Sequence, residues 1–324
     1  MGYRVVIDVM GSDAGPKTMV KGAAMALEKY EELSLLLVGD ETEIRQAAEE
    51  YKMDMSRVEI MHAEEVVTNY DSPAAALFTK TRSSLVLALS ALAERDDLVG
   101  LVNAGSTGAL IAGSMRYLSL ETRVRPALAA TLPAESGGFV CLVDTGATVD
   151  CNAETLLHFA KLGSEFMRNM YGIASPKVGL LSNGKEETKG NKVVKEAHAL
   201  LAAAEDLNFV GNMEGTNALS GECEVLVCDG FWGNQVLKVT EGTARRIITD
   251  IVKIAKREGK AEYMELVGRL MAMYDFNSLG GGIILGVRKP VIKAHGASNE
   301  QSIMNICGMI LNLATNKEAY ADRV

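Results

Sequence analysis

Residues 4–27 read RVVIDVMGSDAGPKTMVKGAAMAL, and the order of residue types in this stretch decides the fold. The apolar run Val5–Val9 is rich in β-branched residues and reads as a short strand. A loop through Gly11 and Gly15 follows. Pro16 then suits the first turn of a helix, where a missing N–H leaves no bond unmade. The same order returns at 34–50, SLLLVGDETEIRQAAEE, with Asp40 as a helix cap, and at 98–118, LVGLVNAGSTGALIAGSMRYL. It continues at 138–163, GFVCLVDTGATVDCNAETLLHFAKLG, and at 177–204, KVGLLSNGKEETKGNKVVKEAHALLAAA. Two further copies are 223–247, CEVLVCDGFWGNQVLKVTEGTARRI, and 290–307, PVIKAHGASNEQSIMNIC. Strands alternating with helices in this way imply βαβ units. The expected fold class is α/β, doubly wound, with a mainly parallel sheet covered on both faces.

The 324 residues suffice for one large α/β domain, expected over 1–324. One region breaks the rhythm: 242–285 is helical in pattern, rich in methionine, and ends in Gly280, Gly281 and Gly282 before an apolar run. It reads as a helical excursion from the sheet. Ile247, Ile248, Ile251, Val252 and Ala255 recur on one helical face, with Arg245, Arg246, Lys253, Lys256 and Arg257 on or beside the other. Met264, Leu266, Val267, Leu270, Met271, Met273 and Phe276 follow. Such a stripe packs a core or a subunit interface, or forms a flexible wall for an acyl chain with a basic face toward an acidic protein or anionic lipid.

A net charge of −9 argues against a nucleic-acid-binding surface as the main function. The five cysteines are odd in number and widely spread, which fits reduced thiols rather than a disulfide framework. The N-terminus lacks a secretory h-region, and Val6 stands where a myristoylation signal needs Ser or Thr. No apolar stretch reaches the ~20 residues of a spanning helix. A cytoplasmic protein is expected.

In an open parallel sheet, ligands bind outside the carboxyl ends of the strands. The loops there carry Asp8, Asp13 and Lys17; Asn103, Ser106 and Thr107; Asp144 and Asp150. Later loops carry Asn183, Lys185, Lys189 and Asn191; Asp229 and Asn234; and His295, Ser298 and Asn299. Taken singly, each is also ordinary turn and cap chemistry; several converging on one sheet edge point to a site. Residues 103–109, NAGSTGA, fit an anion cradle best: two glycines and two hydroxyls opening a helix.

Known phosphate and metal motifs fail. Residues 179–186, GLLSNGKE, nearly spell a P-loop, but Glu186 stands where Ser or Thr must hold magnesium, and Gly179 falls within the strand. No G-x-G-x-x-G follows the first strand. His62, His158, His198 and His295 form no metal-ligand spacing, and no G-x-S-x-G elbow is present. What remains is an anion cradle, a lysine-rich loop, His295 and no covalent nucleophile. That inventory suits a reaction in which the anion itself attacks an activated acyl group, such as a thioester.

Together these stretches resemble the acyl-carrier-protein-dependent phosphate acyltransferases, the PlsX family. The resemblance rests on IDVMGSDAGPKTMVKGA, NAGSTGALIAGS, RPALAATLP, VDTGATVDCNAETLLHFAKLGS, PKVGLLSNGKEETKGN, NFVGNMEGTNAL, VLVCDGFWGNQVLKVTEGTA and PVIKAHGAS, in order over nearly the whole chain. It implies a fold like that of isocitrate dehydrogenases and phosphotransacetylases, and a homodimer. It also implies transfer of a fatty acyl group from acyl carrier protein to inorganic phosphate, without metal or organic cofactor, and possible peripheral contact with the membrane. The matching positions place Asp8, Gly11, Asp13, Asn103, Gly105, Ser106, Thr107, Asp229, Gly296 and Ser298 around phosphate and substrate. Lys189, Asn234 and His295 take the catalytic roles, with Lys189 countering phosphate charge and His295 polarising the carbonyl or orienting phosphate.

The chain also departs from the family pattern. Ala14 replaces a histidine in a loop that usually reads Gly-Gly-Asp-His-Ala-Pro, NAGSTG stands for the usual Ser-Ala-Gly-Asn-Thr-Gly, and Thr145 stands for a leucine. Two other readings therefore stay open: a short-chain phosphotransacylase using acyl-CoA, and a catalytically silent relative that binds acyl carrier protein.

Overall fold

The structure, a computed structural model, describes residues 3–120, 125–259, 261–273, 281–296 and 298–315. The chain forms two compact units: Met1–Ala129, Glu165–Ala174 and Asn277–Val324 make unit 1, and Ala130–Ser164 with Ser175–Phe276 make unit 2.

Unit 1 begins with β1 (Tyr3–Asp8), α1 (Gly15–Lys29), β2 (Leu33–Gly39), α2 (Glu41–Glu50) and β3 (Val58–His62). It continues through α3 (Pro73–Thr79), α4 (Ser84–Glu94), β4 (Leu98–Asn103) and α5 (Thr107–Leu118). The strand β5 (Ala127–Pro133) carries the chain into unit 2. There follow β6 (Phe139–Val143), α6 (Ala153–Tyr171), β7 (Lys177–Ser182), α7 (Lys192–Ala202), β8 (Asn208–Glu214), β9 (Val225–Val227), α8 (Gly230–Glu258) and α9 (Ala261–Met273). The chain then returns to unit 1 as β10 (Gly282–Leu285), β11 (Val291–Lys293) and α10 (Glu300–Thr315).

The unit 1 strands lie in the order β3-β2-β1-β4-β11-β10. All pairs are parallel except the β10–β11 hairpin. Consecutive residues Leu35, Leu36 and Leu37 of β2 are all fully buried. Neighbouring side chains on a strand point to opposite faces, so both faces of this sheet are covered, as expected for parallel strands. On one face α1 meets α10 so closely that a side chain at Gly22 would strike Ile303. Asp40 caps α2 by accepting from the Glu43 N–H, and Pro16 sits in the first turn of α1, both as read from sequence.

Unit 2 orders its strands β6-β9-β7-β8, all parallel. Its core includes Leu132, Val140, Leu142, Met213 and Leu226.

The helical excursion has different bounds from those expected. Its helix starts at Gly230, because Asp229 already caps it there, and Gly282–Leu285 is the strand β10, whose paired isoleucines favour the pleated sheet. The apolar stripe is also divided: Ala255 and Val267 are buried, Ile248, Ile251 and Val252 are half-buried, and Ile247, Met264, Leu266 and Met271 are exposed. Phe276 and Gly280 lie outside the described residues.

Candidate active site

In unit 1 the carboxyl ends of β1, β4 and β11 lie side by side. Asp8 is in register with Asn103, and Asn103 with Lys293, so three polar side chains end three adjacent strands. Asp8 is buried; its Oδ2 accepts from Asn103 Nδ2 at 2.7 Å and its Oδ1 from the Met10 N–H at 3.0 Å. Asn103 Oδ1 in turn accepts from the Gly105 N–H at 2.9 Å. Burial pushes the Asp8 carboxyl up to about 6, against the opposing pull of hydrogen bonds from Ser84, Met10 and Asn103. The carboxylate therefore acts as an acceptor that shapes two loops.

Backbone shape brings those loops together. Gly11 has φ +76°, and a Cβ there would stand 3.3 Å from the Gly105 Cα, so this crossing needs glycine on both counts. Ser12 Oγ donates to the Gly296 carbonyl at 3.3 Å, and a side chain at Gly296 would run into the Asp13 carboxylate. Six of the expected residues, Asp8, Gly11, Asp13, Asn103, Gly105 and Gly296, thus meet in one cluster. Ser106 is buried at the start of α5, and its hydroxyl does not bond back to the helix. The first N–H groups of α5, beginning at Thr107, thus lack that side-chain cap. Ser298 is buried just before α10, and its N–H donates to the His295 carbonyl.

Lys293 was missed from sequence. It ends β11, whereas His295 lies two residues farther on and is exposed. Lys293 Nζ donates to the Ala294 carbonyl, and burial pulls the ammonium down to about 8 while Asp13 draws it back up. Its signal in the sequence is a lone charge closing an apolar run, residues 291–293.

Ala14, where the family pattern has histidine, is an exposed N-cap with no side-chain bond to offer. Its N–H donates instead to Ser12 Oγ at 3.2 Å.

Unit 2 treats its polar residues differently. Asp144 is fully buried and accepts from the N–H groups of Gly146 (3.3 Å), Ala147 (3.1 Å) and Thr148 (2.6 Å). Asn234 Nδ2 donates to the Thr145 carbonyl at 3.2 Å, bracing the same loop. The backbone of α8 presses so close that a side chain at Gly233 would collide with the Asp144 carbonyl. Asp229 Oδ1 accepts from the Trp232 N–H at 2.9 Å as the cap of α8. Lys189 is exposed on the 183–191 loop, and among the described residues no carboxylate pairs with it; Lys185 pairs with Glu222. His198 meets Asn212 Oδ1 at 3.1 Å on α7, a satisfied structural histidine. Among the described residues no cluster of His, Cys, Asp and Glu is placed to hold a metal, and no helix is long and apolar enough to cross a membrane.

Comparison with known proteins adds the lineage. A family model described as "Fatty acid synthesis protein" matches residues 3–316. A phosphate acyltransferase of Halothermothrix orenii is 39% identical over 310 residues, covering 93% of this chain and 92% of that protein. One from Caldanaerobacter subterraneus subsp. tengcongensis is 38% identical over 320 residues, covering 97% and 94%. Among solved structures, a phosphotransacetylase from Streptococcus pyogenes superimposes with a TM-score of 0.65 over 98% of this chain and 94% of its own, at 16% identity, a likeness of fold. On the strength of the family match and these identities over nearly full lengths, the chain belongs to the fatty acid synthesis protein family, that of the phosphate acyltransferases.

Proposed function

We propose that the protein is an acyltransferase that moves a fatty acyl group from acyl carrier protein to inorganic phosphate. A phosphate oxygen attacks the thioester carbonyl, the C–S bond breaks, and the thiolate leaves to take a proton from water. The products are acyl phosphate and free carrier protein. The observation that carries this reading is the unit 1 cluster, where Lys293 and the start of α5 meet at the ends of β4 and β11. Phosphate is held there by the Lys293 ammonium, by N–H groups of α5 and by the hydroxyls of Ser106 and Thr107. His295, exposed beside this cluster, orients the phosphate or polarises the carbonyl.

The ordered loops favour an enzyme that positions and neutralises its nucleophile, which is the main requirement when phosphate attacks a thioester. Lys189, exposed and without a carboxylate partner among the described residues, adds positive charge for the substrate. Asn234 positions the loop that Asp144 closes. The exposed apolar residues of α8 and α9, among Arg246, Lys253 and Arg257, support a surface for a second copy of the chain or for peripheral contact with anionic lipid. The protein works in the cytoplasm, at or near the membrane.

The test is thiol release from palmitoyl-acyl carrier protein and from acetyl-CoA, with and without phosphate, trapping acyl phosphate as hydroxamate. Phosphate-dependent release from the long-chain substrate is expected. Release from acetyl-CoA alone would replace this reading with a short-chain phosphotransacylase, and release from neither would leave a binding protein.

A further inference from the structure

Unit 2 contains a cleft of about 660 Å³, within the ~300–1,000 Å³ common for small-molecule sites. It opens at the carboxyl ends of β7 and β9, and its walls include Val149, Leu156, Leu181, Val194, Trp232 and Val236. Several polar side chains on its rim are already engaged, although the buried Ser182 hydroxyl has no partner among the described residues. Asn183 accepts from the Gly190 N–H at 2.8 Å, Asn191 caps α7 through the Val194 N–H at 2.9 Å, and Asp229 caps α8. Each of the two helix starts that border the cleft thus gives one N-terminal donor to its own cap. Asp150 and Asp229 add carboxylates that repel an anion.

A phosphate finds no positive charge in this lining and meets two carboxylates, whereas an uncharged methylene chain needs no charge and matches the aliphatic walls. Resting on the acyltransferase reading above, we infer that this cleft seats the unbranched acyl chain of the thioester. Hydrophobic burial against the aliphatic walls is the binding force, with Trp232, half exposed, at the mouth.

Trp232 is the only tryptophan in the chain, so its emission reports on the cleft directly. The full-length protein is titrated with saturated fatty acids of decreasing length. A saturable blue shift is expected, with affinity falling about fourfold per methylene removed, equivalent to ~0.8 kcal/mol each. Val236→Asp places a carboxylate in the wall and should weaken the longest acid at least tenfold. Val149 is 56% exposed, so Val149→Phe narrows the cleft with little burden on folding and should shift preference toward shorter chains in both binding and turnover.

Phosphate-dependent release from the long-chain thioester without any saturable response of Trp232, or with one that Val236→Asp leaves intact, would overturn the assignment while sparing the reaction. An equal response to a pantetheine thiol bearing no chain would overturn it in favour of the carrier's arm. A length-dependent response in a protein that releases no thiol would uphold the cleft as an acyl site and sink the reaction instead.

Discussion

Two buried aspartates stand at matching places, Asp8 at the end of β1 in unit 1 and Asp144 just past the end of β6 in unit 2, and they are used in opposite ways. Asp144 collects three backbone N–H groups and closes its loop on itself. Asp8 has one backbone donor, the Asn103 amide and the Ser84 hydroxyl, so it links two loops at strand ends that lie beside Lys293. Similar carboxylates on similar sheets thus tie two loops together in one unit and close a single loop in the other. What differs is whether the carboxylate bonds within its own loop or across to a neighbouring strand end.

The largest expected effect breaks the closed loop. Asp144→Ala leaves three N–H groups without their acceptor and should cost on the order of 3 kcal/mol or more, read from urea unfolding. If stability barely changed, Asp144 would not be the structural member of the pair.

Next in size, Lys293→Met should lower kcat/KM roughly a hundredfold, ~2.7 kcal/mol of barrier, while Lys293→Arg retains part of the activity by keeping the charge. Because the lysine sits near 8 in the folded chain and at 10.5 when unfolded, the unfolded state binds more protons between these values. Wild-type stability should therefore gain a contribution as pH rises through that window, a gain missing from the Met variant in chemical denaturation. Phosphate affinity should decline above about pH 8 in wild type and hold in the Arg variant.

Asp8→Asn sharpens the contrast through pH. The carboxyl is held near 6 against an unperturbed 3.8, so the folded chain binds more protons in between. Its contribution to stability is complete below 3.8 and lost as pH rises through about 6. The Asn variant should lack this slope, a difference on the order of 1–3 kcal/mol in unfolding free energy across the window.

The smallest effect belongs to Lys189→Ala. An exposed lysine without a carboxylate partner among the described residues should leave stability within ~0.5 kcal/mol. It should raise the KM for phosphate roughly threefold, since one screened charge is worth about 0.6 kcal/mol.

The alternation of strand and helix was legible in the sequence because the apolar runs Val5–Ile7 and Leu35–Leu37 satisfy only a sheet covered on both faces. The close crossing of two loops was legible through the glycines that let Gly11 pass Gly105. Less legible was the division of labour among polar loop residues. Asp229 and Asn191 carry the residue types that ligands also favour, and a helix cap asks for the same side chain at the same place. Lys293 escaped notice because strand pairing, which sequence order does not display, decides which residue closes β11 against β4.

That pairing has a consequence for the birth of the molecule. β4 finds its neighbour β11 only after the whole of unit 2 has been made, and α1 waits equally long for α10. During synthesis the first unit to begin is thus the last to finish, holding an open sheet edge and an uncovered helix face while the second can already close. A chain stalled before residue 291 would expose both, and chaperones would meet this protein chiefly through its N-terminal portion.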